Sequence, residues 1–188
     1  MKNDLKHLIR SLVDIDDTHL DNIVRYFKPR AVKRNTLLLS EGEICKEFYY
    51  VNKGCIRTYF ISKQGQEKTR FVLLDNNIGT ALASFIFQKP SIEIVATLED
   101  TNLSAISHKD FYKLVDDIPE WAIFYRKILE LAYTFQNRKI EDRVTLSAKQ
   151  RYDKVLKETP FYVQRLSNKV LASYLDITQE TLSRLKSR

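Results

Sequence analysis

All four glycines of this 188-residue chain, Gly42, Gly54, Gly65 and Gly79, lie in its first half. Each follows or interrupts a stretch rich in β-branched and aromatic side chains: Thr36-Leu-Leu-Leu-Ser, Glu47-Phe-Tyr-Tyr-Val, Cys55-Ile-Arg-Thr-Tyr-Phe-Ile and Thr69-Arg-Phe-Val-Leu-Leu. Strand-like runs broken by turn residues about every ten positions predict an antiparallel sandwich or barrel. Two more runs, 91–98 and 102–107, would complete it. Ahead of them, 5–13 and 17–26 read as short helices, with Asp16 or Asp17 capping the second.

Beyond the strand region the period changes. Ile118, Trp121/Ala122, Tyr125, Ile128/Leu129, Ala132 and Phe135 recur at three-to-four spacing behind Pro119, a residue suited to a first helical turn. This predicts a helix from Pro119 to Asn137 or beyond. Its apolar stripe can pack back on the barrel or pair with a second copy. A further helix is expected over 143–157, with Thr159-Pro160 as a break.

The C-terminal stretch reads as two short helices joined by a tight turn. Val170, Leu171, Tyr174 and Leu175 form a buried face at helical spacing. Asp176 falls where a helix end often needs a left-handed backbone, and Ile177 is the apolar plug between the helices. Thr178 stands at an N-cap position. The next helix would expose Gln179, Glu180, Ser183 and Arg184, side chains able to read base edges in a major groove. Charge agrees. The chain is +7, and residues 148–188 hold nine Lys/Arg against four acids. A polyanion is the natural partner of such an asymmetry.

Other classes find less support. No apolar run approaches a membrane span, and the opening Met-Lys-Asn-Asp-Leu-Lys-His leads into no signal-peptide core, so a cytoplasmic protein is expected. Cys45 and Cys55 are too few for a disulfide framework or a four-thiolate iron–sulfur site. Cys45 reads as a partly exposed turn thiol, Cys55 as a small apolar residue. His7, His19 and His108 show no ligand spacing, so no metal site is expected. No catalytic constellation emerges either, and Asp116-Asp117 is simply a solvated helix-end pair. An enzyme is not expected.

The order of helix pair, eight-strand barrel, long helix and basic helix-turn-helix resembles the Crp/Fnr family of bacterial transcription regulators. The resemblance rests on Leu37-Leu-Leu-Ser-Glu-Gly-Glu, Phe48-Tyr-Tyr-Val-Asn-Lys-Gly-Cys-Ile-Arg, Asn77-Ile-Gly-Thr and Leu171-Ala-Ser-Tyr-Leu-Asp-Ile-Thr-Gln-Glu-Thr-Leu-Ser-Arg. It implies an α+β chain: an antiparallel β-barrel or jelly roll with flanking helices, a long dimerisation helix and a C-terminal helix-turn-helix. The implied domains are a cyclic-nucleotide-binding-like effector domain (1–117), a linker helix (118–142) and a DNA-binding domain (143–188). A homodimer on double-stranded DNA follows, with RNA polymerase as a further partner. Gln179, Glu180 and Arg184 would face bases, whereas Thr178, Thr181 and Ser183 would touch phosphate or sugar. Family members often continue past the reading helix into a hairpin wing.

The effector pocket departs from that pattern. Nucleotide-binding members place a glutamate after the Ile-Gly and an Arg-Ser/Thr pair for the cyclic phosphate. Here Gly79 is followed by Thr80, and Ser91-Ile92 stands where the Arg-Ser pair would be. Lys89 is the nearby cation, and Glu93 would repel a phosphate. A lone lysine does not replace a charge-assisted fork. Cyclic AMP is therefore not the expected effector. The barrel either holds another small molecule or serves as a dimer scaffold. A rival reading has the C-terminal helices contact protein rather than DNA.

Overall fold

The computed structural model describes residues 2–187, with side chains from residue 4. The chain divides into two compact units, one of Met1–Phe60 with Phe71–Glu130 and one of Ile61–Arg70 with Leu131–Arg188.

The first unit opens with α1 (Lys2–Leu12) and α2 (Asp17–Tyr26). Asp16 caps α2 by accepting the His19 N–H at 2.9 Å. Strands β1 (Lys28–Val32), β2 (Leu37–Leu39), β3 (Glu47–Lys53), β4 (Ile56–Ile61), β5 (Glu67–Leu73) and β6 (Ile78–Gly79) follow. A short α3 (Leu82–Phe87), then β7 (Ile94–Thr97), β8 (Thr101–Ser107) and α4 (His108–Asp117) complete the strand region. The strands form two antiparallel four-stranded sheets, ordered β1-β8-β3-β6 and β2-β7-β4-β5.

The expected barrel is not closed. β1, β6, β2 and β5 remain edge strands, so the jelly-roll alternative is the correct one. β2 has three residues and β6 two, too short to carry a ladder from one sheet to the other. β1 escaped the sequence reading because Lys28-Pro-Arg-Ala-Val is polar and almost wholly exposed. An edge strand tolerates such a sequence, Pro29 included, since half its backbone groups need no ladder partner. α4 also went unpredicted, although Ser107 marks its start: the hydroxyl accepts the Asp110 N–H and donates to the Asp110 carboxylate.

The core of this unit is aromatic. Phe48 stacks on Phe111 with centroids 5.0 Å apart, Phe111 meets Trp121 edge-on at 5.2 Å, and Trp121 stacks on Phe124 at 4.9 Å. Trp121 and Phe124 belong to α5 (Pro119–Thr145), whose first turns are thereby fixed on the sandwich. The predicted stripe thus packs back on its own sheet at its N-terminal end, with Tyr125 and Ile128 also against the core. Cys45 is fully buried, not a turn thiol. Its Sγ lies 2.9 Å from the Thr80 hydroxyl, and burial raises its pKa. Cys55 is buried as expected.

Gly54 occupies the β3–β4 turn at φ +128°, and an added Cβ would fall 2.7 Å from the Thr101 Cα. Backbone cannot move aside as a flexible side-chain end can. Gly54→Ala is expected to lower stability by roughly 2–3 kcal/mol, a shift readable as the midpoint of urea unfolding.

The second unit holds the rest of α5, then α6 (Ala148–Glu158), α7 (Pro160–Arg165), α8 (Asn168–Leu175) and α9 (Gln179–Lys186). The helix expected from 143 starts five residues later, because α5 continues to Thr145. Ser147 and Gln150 form a reciprocal capping box that sets the new start.

Candidate nucleic-acid interface

Local chemistry builds the α8–α9 pair. Ser167 caps α8 by accepting the Val170 N–H. Val170, Leu171, Ala172 and Leu175 are buried, and Tyr174 is half-buried. Asp176 ends the helix at φ 54° and ψ 50°, with its N–H on the Ala172 and Ser173 carbonyls. The Ile177 N–H returns to the Ala172 carbonyl at 3.0 Å, which completes a Schellman-type turn around a half-buried Ile177. Thr178 then caps α9, its hydroxyl accepting the Thr181 N–H at 3.2 Å. Leu182 is fully buried and fixes the roll of α9.

That roll leaves Gln179, Glu180, Ser183 and Arg184 exposed on one face, as the spacing predicts. Thr181 is half-buried, and the Thr178 hydroxyl is engaged by the cap and by the Thr181 hydroxyl at 3.1 Å. Arg184 donates Nε to the Glu180 carbonyl at 3.4 Å. Glu180's own backbone N–H, the Thr178 hydroxyl and the nearby Arg184 hold its carboxyl below the ordinary value. It therefore stands as a hydrogen-bond acceptor at neutral pH. Lys186 is tied to Asn168 at 2.6 Å, which joins the end of α9 to the start of α8.

Asp176 also anchors the turn within the second unit. Lys68 approaches it at 3.0 Å and Arg143 at 2.9 Å. Burial opposes its charge, but Lys68, Arg143 and Arg151 outweigh that cost and keep the carboxyl below its usual range. Beside it the Ser173 hydroxyl accepts the Thr69 N–H at 2.9 Å and donates to the Glu67 carbonyl at 2.8 Å. Lys169 meets Glu67 at 2.7 Å. α8 is thus held on the segment Ile61–Arg70 by both charge and backbone bonds.

The residues expected to line the effector pocket do not form one polar cluster. The Thr80 hydroxyl donates to the Glu47 carbonyl at 2.7 Å, and Thr80 is 3 % exposed. Ser91 is equally enclosed and bonds both the N–H and the carbonyl of Glu93 at 2.9 Å. Ile92 points to solvent, 72 % exposed. At Gly79, a Cβ would meet Leu73 at 3.1 Å, so this position is close-packed.

Two further features went unread in the sequence. Arg57 is buried in β4 at 4.3 Å over the Tyr59 ring, and Glu93 is buried as well. An arginine between Ile56 and Thr58, inside a run that reads as a strand, was the available signal. The second joins one histidine to two acids. His19 Nδ1 lies 3.3 Å from Asp16 and 3.2 Å from Glu120, a cluster at the start of α2 whose three ligand-type atoms lie within 4.8 Å of one another. Asp16 and His19 are three apart in sequence, but Glu120 arrives only through the fold.

Residues 29–117 match the family model of the cyclic nucleotide-binding domain. No curated protein matches the chain. Among solved structures, the c-di-GMP-responsive global regulator CLP of Xanthomonas campestris superposes with a TM-score of 0.73 at 18 % identity, over 90 % of this chain and 89 % of that one. FixK2 of Bradyrhizobium japonicum gives 0.69 at 18 % identity over 86 % and 83 %. The catabolite activator protein of Thermus thermophilus gives 0.59 at 20 % identity over 92 % and 83 %. Residues 29–117 are thus similar to a cyclic nucleotide-binding domain, and the chain has the fold of these solved regulators, among them one of the Crp/Fnr family from Eubacterium rectale, matched with a TM-score of 0.72 at 21 % identity over 92 % of this chain and 82 % of that one.

Proposed function

We propose that this protein is a homodimeric, sequence-specific DNA-binding transcription regulator of Crp/Fnr type that does not respond to cyclic AMP. The observation that carries the reading is the exposed face of α9, with Gln179, Glu180, Ser183 and Arg184 presented by a capped helix on a left-handed Asp176 turn. In this reading residues 143–188 bind DNA, 118–142 form the dimerisation helix and 1–117 form the effector domain. Arg184 forks onto a guanine, Glu180 accepts from a cytosine amino group, and Gln179 reads a neighbouring base. Thr181 and Ser183 meet phosphate or sugar, and Thr178 acts mainly as the cap that orients them.

The dimer reading draws on the far half of α5. Tyr133, Ile140 and Val144 are 69 %, 59 % and 81 % exposed and recur at i, i+7 and i+11, along one line of the helix. The bound hydroxyls of Thr80 and Ser91, the outward Ile92 and the buried Glu93 argue against a cyclic phosphate anchor. The function is regulatory rather than enzymatic in this reading. Its setting is the cytoplasm, in keeping with the fact that no described helix is long and apolar enough to cross a membrane.

Gel-shift titration against genomic fragments tests the proposal. With about 6–10 phosphates contacted, affinity should fall by roughly three to five decades between 50 and 200 mM salt. Salt-independent binding, or folded protein that shifts no fragment, favours the rival in which these helices contact protein.

A further inference from the structure

Within the second unit, α5, α6 and α8 border an open cavity of about 450 Å³. Leu131, Phe135, Val155 and Leu175 give it an apolar wall. Arg138, Lys139, Arg143, Arg151 and Lys154 line the remainder, with only Asp142 and Glu158 as acids. Not all of this positive charge is cancelled. Lys154 meets Asp142 at 2.7 Å, and Arg143 reaches Asp176 at 2.9 Å. Arg151, in contrast, donates to the backbone carbonyls of Leu175 and Leu146 at 3.1 and 2.6 Å. Lys139 donates to the carbonyls of Thr69 and Arg70 at 3.0 and 2.6 Å. A carbonyl satisfies an N–H without neutralising its charge, so Arg151 in particular keeps a positive field in the cavity beside an apolar surface. Its size falls in the range of small-molecule sites, where apolar walls bind the body of a ligand and a few polar groups fix its orientation.

We propose that this cavity binds a small organic anion, with one carboxylate or phosphate head directed to Arg138, Arg143 and Arg151 and an aromatic or aliphatic body against Leu131, Phe135 and Val155. All of its lining residues fall outside 29–117, the span of the cyclic nucleotide-binding domain. Of the α5 residues that line it, Leu131, Phe135, Arg138 and Asp142 lie roughly opposite the exposed line of Tyr133, Ile140 and Val144 at 3.6 residues per turn, with Thr134, Lys139 and Arg143 on the flanks between. Pairing of α5 along that line therefore leaves the cavity open.

Lys139 supplies an internal reporter. Burial, with Arg143 on its own helix and Arg70 on β5, brings its ammonium down to about 7 against the opposing pull of Asp176 at the end of α8. The Tyr174 ring faces the same ammonium at 4.1 Å. An anion in the cavity favours the charged form and raises this pKa. Binding at pH 7.5 should therefore take up a fraction of a proton.

Calorimetry of the full chain with 2-naphthoate, 2-naphthyl phosphate and uncharged 2-naphthamide, repeated in buffers of different ionisation enthalpy, tests the site. At least one of the two anions is expected to bind at one site per chain, at least tenfold more tightly than the amide and with proton uptake. The anion that binds better identifies the head group. Arg138→Gln alters an exposed residue and should weaken anion binding about tenfold with the unfolding midpoint unchanged. Leu131→Trp should abolish it by filling the space. Equal binding of the amide, no binding of either anion, or unchanged binding in both variants overturns the proposal. None of these readouts requires DNA, so their outcome is separate from that of the DNA-binding reading.

Discussion

Ile140→Glu is expected to convert the protein to a monomer and to lower its affinity for an operator by two to four decades. Ile140 is the middle member of the exposed line Tyr133, Ile140 and Val144 on α5. Pairing two copies of that line removes six large apolar side chains from water, each worth about 1.5–3 kcal/mol if fully buried. A glutamate at the centre would bring two carboxylates together in a closing interface, where desolvation and like-charge repulsion both oppose association. Within a single chain the substitution touches little, since Ile140 is 59 % exposed, so the monomer should keep its helical content. The loss on DNA follows from linkage. Two half-site contacts joined through a dimer act at an effective concentration near the millimolar range, and separating them removes avidity of roughly 10²–10⁴ without altering one base contact. Sedimentation velocity and gel-shift titration of the same preparation check this. A variant that stays dimeric with unchanged operator affinity would exclude the stripe as the pairing surface.

Arg184→Ala is expected to cost about 1–3 kcal/mol at each half-site and to relax the base preference at one position of each. Arg184 lies on the exposed face of α9, where its Nε donates to the Glu180 carbonyl at 3.4 Å. The planar fork of its terminal nitrogens is the part suited to guanine O6 and N7. Truncation removes that recognition while Leu182 and the Thr178 cap keep α9 in place. Binding selection with randomised operators separates this outcome from a mere loss of charge. A phosphate contact would weaken all sequences alike and lower the salt slope by about one. Equal affinity of the variant and the parent protein for every fragment would remove Arg184 from the set of base readers.

The parts of the fold that were legible in the sequence are those whose causes lie within a few residues. The Asp176 turn, the Thr178 cap and the exposed quartet on α9 each depend on hydrogen bonds or side-chain spacing inside one or two turns of helix. The same holds for the capping of α2 by Asp16. The Ser107 and Ser147 caps went unread although their signals are local, and the edge strand β1 was missed because its sequence is polar.

Partnerships across long stretches of chain were not legible. Cys45 is buried because Thr80, thirty-five positions on, folds over it, and His19 gains Glu120 from a helix a hundred residues away. Closure of the sheets, too, depends on which edge strands are long enough to pair across, and β2 and β6 are not. The α5 stripe makes the same point within a single helix. Its period announced an apolar face, but the aromatic core around Phe111 took Trp121 and Phe124, and a different line of residues was left in solvent. By itself, then, the sequence determined helix ends, turn handedness and the polar face of α9, because a backbone dihedral and a cap are fixed by nearest neighbours. Only the tertiary structure decided which polar groups are already satisfied, which apolar face stays exposed and where positive charge meets a cavity. Those properties belong to contacts between elements, and no residue carries them alone.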